Sequence, residues 1–285
     1  MSLRIISKCL VKKPLLLFLS PLMAWILGYS SAAQNPPKQP PGGGNVGFSE
    51  KNESSFLSLI PPYPILQSLG DEADVAGVRQ WQQSGNSLRW QLAQADAEIS
   101  YNRFAEAFGS TISPASTPLL VHLLDRVEAD LSAVLANAKR SYNRPRPYQR
   151  LQMARVCGFN PAPAAEVDPK GGNSYPSGHA TFGWSMALLL AEVAPERAQI
   201  ILARGREYGE SRIVCAVHYP SDVLAGELLV SALVGRLYAV PEFKRELICA
   251  QQEHLVALRV RPQLGLECLS PESELQQKAP VALEP

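Results

Sequence analysis

Apolar residues recur at spacings of three and four along most of the chain between residues 50 and 268. This spacing matches the α-helical period and predicts amphipathic helices, whereas the strict alternation typical of strands is not sustained. The predicted helical segments are 71–100, 118–138, 181–193, 196–208, 223–240 and 243–258. Pro195 suits the first position of one helix, and Ser221 suits the N-cap of another. The pattern therefore predicts one all-α domain, a single helical bundle over residues 50–268.

The first 33 residues have the pattern of a secretory signal peptide. Basic residues precede an apolar stretch over residues 14–29, and Ser31-Ala32-Ala33 places small residues where a signal peptidase reads. The alternative is an uncleaved membrane anchor, but this stretch is shorter than the ~20 residues of a spanning helix and contains Pro21. We expect cleavage after Ala33, no attachment to a membrane afterwards, and a periplasmic or secreted protein.

Two segments that flank the predicted domain have little to bury. Residues 34–49 are rich in proline and glycine, which is typical of a linker, and residues 269–285 read as a flexible, polar C-terminal tail. The net charge is only +1. This balance argues against a partner that is a nucleic acid or an anionic membrane. An anion site must therefore be local and built from a few cations.

The cysteines agree with export. Loss of Cys9 with the signal peptide leaves four cysteines in an oxidising compartment, and four cysteines allow three pairings. We expect the pairs Cys157–Cys215 and Cys249–Cys268, because the first two flank the polar segments described next and the last two are close in sequence. Buried free thiols are the alternative.

Three short segments carry the candidate chemistry. In one of them, Ser211-Arg212 is followed by His218 and Asp222, four residues apart. This spacing lets Asp222 accept a hydrogen bond from one imidazole nitrogen, which leaves the other nitrogen as a nucleophile or a base. The alternative is an ordinary turn in which Ser221 caps a helix and Asp222 only complements the helix dipole.

Another segment, Pro176-Ser177-Gly178-His179, precedes an apolar run. A helix that starts here directs its free N–H groups and the Ser177 hydroxyl at an anion, and Gly178 lets the backbone approach closely. His179 is then placed to give a proton to a leaving oxygen. The alternative is a proline-initiated turn with a capping serine and a surface histidine.

The remaining segment follows the predicted helix 118–138 and contains Lys139 and Arg146. Both Arg146 and Arg144 precede a proline, so the spacing alone leaves open which arginine enters a site. Cations at the end of a helix are also the ordinary compensation of the helix dipole.

Together and in this order, these segments resemble the signature Lys-x6-Arg-Pro, Pro-Ser-Gly-His, Ser-Arg-x5-His-x3-Asp of the phosphatidic acid phosphatase type 2 superfamily. Further stretches resemble the bacterial class A nonspecific acid phosphatases: Leu59-Ile-Pro-Pro-Tyr-Pro, Leu92-Ala-Gln-Ala-Asp-Ala-Glu and Ala107-Phe-Gly-Ser. The resemblance covers roughly residues 56–242, favours Arg146 over Arg144, and implies the helical bundle of that superfamily. Ala180 and Tyr219-Pro220 depart from it, which leaves the preference for a leaving group open.

The resemblance implies an acid phosphatase that hydrolyses phosphomonoesters in two steps. His218 forms a phosphohistidine while Asp222 holds its ring, and His179 protonates the leaving oxygen and then activates water. The phosphoryl oxygens are bound by Lys139, Arg146, Ser177, Gly178 and Arg212. Three cations can take the part that a metal has elsewhere, so we expect no cofactor and no metal. Related enzymes are often homodimers.

Three other functions are alternatives. One of them, a membrane lipid phosphatase, is disfavoured because the sequence shows no second apolar run of spanning length. Vanadium-dependent haloperoxidases resemble this site almost residue for residue, although the chain is short for one of them. A non-enzymatic phosphate-binding protein would need the cations but not a His–Asp pair beside a second histidine. The other two histidines of the domain, His122 and His254, are expected to be structural.

Overall fold

Helices form all of the regular structure in the part of the chain that the computed structural model describes, which comprises residues 47–48, 53–84, 86–153, 155–157 and 174–269. Within these ranges there is no strand, and the predicted all-α fold is confirmed. The predicted signal peptide lies outside the described residues, as do nearly all of the linker and the tail.

Nine α-helices follow one another in the described ranges. They are α1 (Leu69–Gln83), α2 (Ser87–Ala95), α3 (Ala105–Phe108), α4 (Pro118–Ser141), α5 (Pro147–Arg150), α6 (Gly178–Val193), α7 (Ala198–Val214), α8 (Pro220–Leu237) and α9 (Pro241–Ala257). Short 3₁₀ turns cover Glu53–Leu59, Tyr101–Phe104, Pro195–Arg197 and Leu266–Cys268. Of these described helices, no single one is long and apolar enough to cross a membrane, although α8 and α9 pass that test as a pair bent by 99°.

Five of the six predicted segments correspond to one helix each, but the segment 71–100 does not. It is divided into α1 and α2, because Ser84 donates a side-chain hydrogen bond to the Trp81 carbonyl and Asn86 caps α2 by accepting the Arg89 N–H at 3.0 Å. Serine and asparagine compete for backbone groups in this way and end helices.

The predicted N-cap at Ser221 is wrong. Tyr219 is the N-cap of α8, and Ser221 lies inside the first turn. The Asp222 carboxylate accepts the Tyr219 N–H at 2.8 Å and so satisfies one of the free donors of the helix start. Pro195 begins the short 3₁₀ turn that leads into α7.

Helix α6 is the central helix of the core, and it packs closely against α7 and α8. A Cβ at Gly205 of α7 would lie 2.3 Å from the Cβ of Ala187, and one at Gly183 of α6 would lie 2.5 Å from the Tyr208 ring. These facing pairs show that α6 and α7 run antiparallel. Helix α8 runs parallel to α6. The Ser177 N–H donates to the Asp222 carbonyl at 2.9 Å, and one turn later in both helices Gly226 lies against Thr181.

Contacts of Phe48 and two disulfides join segments that are distant in sequence. Phe48, at the end of the predicted linker, is buried against Phe243, and its N–H donates to Asp130 at 2.8 Å. Disulfides join Cys157 to Cys215 and Cys249 to Cys268, which is the expected pairing.

Candidate active site

Four helix ends meet at one end of the bundle. Because α6 runs antiparallel to α7 and parallel to α8, the starts of α6 and α8 lie beside the end of α7. Helix α4 also ends here, because Leu135 packs against Gly178 at the start of α6. These ends carry the residues of the three predicted segments: Lys139 on α4, Ser177 and Gly178 on α6, Arg212 on α7, and Asp222 on α8.

His218 is buried between a carboxylate and a guanidinium. Its Nε2 lies 3.2 Å from Nη1 of Arg146, and its Nδ1 lies 3.4 Å from Oδ2 of Asp222. A guanidinium can only donate, so Nε2 is the acceptor and the ring proton is assigned to Nδ1. The approach of Nδ1 to Asp222 is electrostatic, because Nδ1 has no aligned hydrogen-bond partner among the described residues.

The charge state of His218 follows from its surroundings. Burial lowers the pKa of His218 well below its usual range, and the charges of Arg146 and Lys139 lower this pKa further. The ring is therefore neutral, with an unprotonated Nε2 directed at Arg146. A neutral imidazole nitrogen of this kind can act as a nucleophile.

Three cations act on His218: Arg146 contacts its Nε2, and the charges of Lys139 and Arg212 also lower its pKa. Arg146 donates from Nη1 to the Val217 carbonyl at 2.9 Å, which holds the guanidinium against His218. Burial, and then the charge of Arg146, lower the pKa of Lys139 to about 8. Burial also lowers the pKa of Arg212 to about 10, and its Nε has no partner among the described residues. The site thus concentrates positive charge that an oxyanion would neutralise.

Helix α6 adds neutral donors to the cations. Ser177 is the N-cap of α6 and is fully buried, and its Oγ accepts the Ala180 N–H at 3.3 Å. The Ser177 hydroxyl proton is left for another acceptor. A Cβ at Gly178 would lie 3.0 Å from the Leu135 side chain, so the close approach of α4 favours glycine there.

His179 lies on the first turn of α6, beside the Tyr208 ring. Its Nε2 is 3.1 Å from the Ala97 carbonyl oxygen, which can only accept, so Nε2 carries the proton and Nδ1 is the atom left for proton transfer. Burial, and then the charge of Arg212, lower the pKa of His179 to about 4. In the absence of a bound anion this histidine is neutral at pH values above about 4.

Comparison with known proteins shows the family to which the chain belongs. The model of the PAP2 superfamily matches residues 123–246. A non-specific acid phosphatase of Providencia stuartii is 35% identical over 202 residues, which are 69% of this chain and 79% of the relative. Another, of Salmonella typhi, is 31% identical over 265 residues, which are 90% of this chain and 100% of the relative. The chain belongs to the non-specific acid phosphatases of the PAP2 superfamily. An acid phosphatase of Zymomonas mobilis is also similar, at 35% identity over 205 residues, 70% of this chain and 74% of the relative.

All eight predicted site residues of this family member lie at the same end of the bundle, but they depend on other residues that the motifs do not include. Asp222 accepts hydrogen bonds from Arg144 at 2.6 Å and from Ser174 at 2.6 Å. Arg144 in turn donates to Asp74 of α1 at 2.7 Å. The repeated Arg-x-Arg pattern before proline was a signal for Arg144. For Asp74, in an ordinary helix, the sequence held no signal.

The other histidines of this family member lie outside the cluster. Buried His254 makes a 2.8 Å contact with Glu196 and packs against Phe108, and His122 is an exposed residue 3.7 Å from Glu246. Two surface cavities, of about 870 and 810 Å³, are lined by none of the eight site residues. Within the described ranges, no group of three or more His, Cys, Asp or Glu side chains is arranged to hold a metal ion.

Proposed function

We propose that this family member is an exported acid phosphatase that hydrolyses phosphomonoesters of many kinds through a phosphohistidine on His218, without a metal ion. Membership of the non-specific acid phosphatases supports the activity. The covalent route is supported by one observation above all: His218 presents an unprotonated Nε2 to a cluster of cations while its Nδ1 faces a carboxylate.

In the first step, Nε2 of His218 attacks phosphorus and the bond from phosphorus to the ester oxygen breaks. The ring then carries phosphate on Nε2 and a proton on Nδ1, so it becomes positively charged. Asp222 lies 3.4 Å from Nδ1 and stabilises that charge. In the second step, water attacks the phosphohistidine, the N–P bond breaks, and the neutral ring is restored with inorganic phosphate as product.

Negative charge on the three non-bridging oxygens is stabilised by the residues around them. Lys139, Arg146 and Arg212 supply three positive charges in a partly or fully buried setting, where each charge acts more strongly than in water. The Ser177 hydroxyl and the Gly178 N–H at the start of α6 add hydrogen-bond donors. With this much charge from side chains, the proposed reaction needs no Lewis acid.

His179 is the proposed general acid and base. Because its pKa is about 4 in the empty site, the proton for the leaving oxygen arrives with the substrate. A phosphomonoester has a second pKa of about 6, so the monoanion carries one proton into the site at acidic pH. Nδ1 of His179 takes up that proton, which leaves the substrate dianion in contact with the cations. Nδ1 then gives the same proton to the departing oxygen. This balance favours activity on the acid side of neutrality.

Export is proposed on separate grounds. The basic, apolar and small-residue pattern of the first 33 residues suits a signal peptide. Two disulfides in one chain suit an oxidising compartment such as the periplasm.

Rapid-quench trapping tests the covalent route. Enzyme mixed with a ³²P-labelled aryl phosphate and denatured in alkali should retain label in the wild type, and the label should be lost in acid, as expected for a phosphohistidine. The His218→Ala variant should retain none. The exposed histidine variant His122→Ala is the matched control and should label like the wild type. Label that survives in His218→Ala would contradict the proposal.

A further inference from the structure

A buried chain of charges stands behind the catalytic His218–Asp222 pair. Arg144 donates from Nη1 to Oδ1 of Asp222 at 2.6 Å and from Nη2 to Oδ2 of Asp74 at 2.7 Å. The exposed fractions of Asp74, Arg144 and Asp222 are 3%, 3% and 0%. Two carboxylates therefore share one guanidinium in the protein interior, and the three groups come from α1, from the segment after α4 and from α8.

This arrangement leaves Arg144 little freedom to move. Its Nη1 also donates to the Ser221 hydroxyl at 2.7 Å, and the Ser221 N–H donates to Asp74 at 2.9 Å. The guanidinium lies over the Tyr219 ring, 4.0 Å from the ring centroid. A planar fork held at both carboxylates and stacked on an aromatic ring is a geometry that lysine cannot reproduce.

Asp222 needs such a partner because of where it lies. Burial raises the pKa of Asp222, and the charge of Arg144 is the first influence that opposes the rise. Every short contact to the Asp222 oxygens comes from a donor, namely Arg144, Ser174 or the Tyr219 N–H. The titratable or charged groups that act on or contact Asp222 from the surrounding elements are Arg144, Lys139, His218, Tyr175 and Tyr219, and Asp74 is joined to Asp222 through Arg144.

We infer that Arg144, held in place by Asp74, is a positioning residue that keeps Asp222 ionised and directed at His218 at acidic pH. The inference rests on the proposed role of His218 as nucleophile. If Asp222 took up a proton, its oxygen would donate instead of accept, and the positive charge that forms on His218 would lose its counter-ion. Arg144 thus acts on the formation of the phosphohistidine and not on the binding of phosphate.

The test measures kcat and KM against pH with an aryl phosphate. Arg144→Gln alone leaves two buried carboxylates without the guanidinium that they share, which threatens folding. The double variant Arg144→Gln/Asp74→Asn removes one charge of each sign and leaves Asp222 without its guanidinium partner. The acid limb of its kcat profile, the fall of kcat at low pH, should have its midpoint at least one pH unit above that of the wild type. At pH values below both midpoints, kcat of the double variant should then be about tenfold lower than that of the wild type.

Two further variants separate charge from architecture. Arg144→Lys keeps the positive charge, so its acid limb should return to within about half a unit of the wild type even though kcat stays lower. Asp71→Asn is the matched control, because Asp71 lies one turn before Asp74 on α1, is 2% exposed, and pairs with Arg150 at 2.6 Å. It should lower the melting temperature without moving the acid limb.

The outcomes are distinct. A double variant with the wild-type pH profile and only a uniformly lower kcat would overturn the inference and leave Arg144 a structural residue. An unchanged profile together with normal labelling of wild-type His218 would refute the role of Arg144 alone. Absence of phosphohistidine in the wild type would refute the proposed function itself.

Discussion

At the scale of single residues, the position of each proton follows from the group that each nitrogen meets. Nε2 of His218 meets a guanidinium and is unprotonated, whereas Nε2 of His179 meets the Ala97 carbonyl and carries a proton. The two histidines are thus prepared for different tasks, although the sequence presents both as the same residue type. Their separate tasks can be tested by changing the leaving group.

Replacement of His179 should affect substrates unequally. A poor leaving group such as an alkoxide needs a proton as it departs, whereas an activated aryl oxide needs little. His179→Ala should therefore lower kcat for an alkyl phosphate strongly and lower the rate of phosphoenzyme formation from an aryl phosphate much less. The two losses should differ by about 10²–10⁴-fold. Single-turnover kinetics with both substrates measures this difference. An equal loss with both would refute the assignment of His179 as general acid.

A second residue, Glu128 of α4, should make stability depend on pH. Its Oε2 is buried with no partner among the described residues, and burial raises its pKa to about 7 from the usual 4.5. A carboxyl group with a raised folded-state pKa favours folding while it is protonated, so stability should fall as the pH rises from about 4.5 to 7. Glu128→Gln should remove this loss and stabilise the protein at pH 8 by at most about 3 kcal/mol.

Urea unfolding at pH 5 and pH 8 measures the effect of this change. The exposed Glu72→Gln is the control and should change stability by less than about 0.5 kcal/mol at both pH values. A Glu128→Gln variant whose free energy of unfolding keeps the wild-type pH dependence would refute the account of Glu128.

At the scale of the elements, the close packing of α6 against α7 sets the distance between His179 and Arg212. Gly205 is the contact that allows it, because even one methyl group there would lie 2.3 Å from the Cβ of Ala187. Periodicity predicted both helices from the sequence, but it did not reveal this contact. Apolar spacing reports which face of a helix is buried and not which residue of a neighbour it meets.

Gly205→Ala should force α6 and α7 apart. Overpacking of this kind costs about 1–3 kcal/mol in the free energy of unfolding. The displacement of Arg212 from the start of α6 should also raise the inhibition constant of inorganic phosphate. Thermal unfolding and competitive inhibition measure the two effects.

Two matched variants test this interpretation. Gly235→Ala on α8 meets nothing within 4 Å and should stabilise the protein by about 0.5–1 kcal/mol, as expected from helix propensity alone. The pair Gly205→Ala/Ala187→Gly restores the space and should recover most of the loss. Failure of this rescue would argue against steric contact as the cause.

Competition between polar side chains for backbone groups decides features of these elements that apolar spacing does not predict. The break between α1 and α2 depends on Ser84 and Asn86 bonding to the backbone, and the start of α8 depends on Asp222 accepting the Tyr219 N–H. Ser221 looked like the N-cap because its residue type suits that position. Its hydroxyl instead contacts Asp74 and Arg144, which are distant in sequence.

At the scale of the whole molecule, motif order and spacing are enough to select the eight residues that the fold brings together. Of the buried residues behind them, only Arg144, which precedes a proline as Arg146 does, has a signal in the sequence. Asp74, Arg144 and Ser174 act through contacts over 48 to 78 positions of sequence. The fold assembles the three cations from the end of α4, the start of α5 and the end of α7, so the proposed chemistry belongs to the assembled domain and to no single motif.

The proposed absence of a metal requirement is tested on the intact enzyme. Since side chains supply three positive charges, EDTA should leave the hydrolysis of an aryl phosphate within about twofold of the untreated rate, and vanadate should inhibit as a mimic of pentacoordinate phosphorus. Zinc or magnesium that restores a lost activity would refute this account. Halide oxidation by the vanadate-loaded protein with peroxide would point instead to the haloperoxidase alternative.

The crowding of Lys139, Arg146 and Arg212 around His218 also has a consequence for regulation. With no anion present, these like charges repel one another in a poorly solvated space, so the vacant enzyme is the less stable form. Inorganic phosphate relieves that repulsion and binds only the folded chain, so it should protect the protein against heat. The same affinity makes the product a competitor of the substrate. Where phosphate is plentiful, the enzyme should therefore be long-lived and slow; where phosphate is scarce, it should be fast and more easily unfolded.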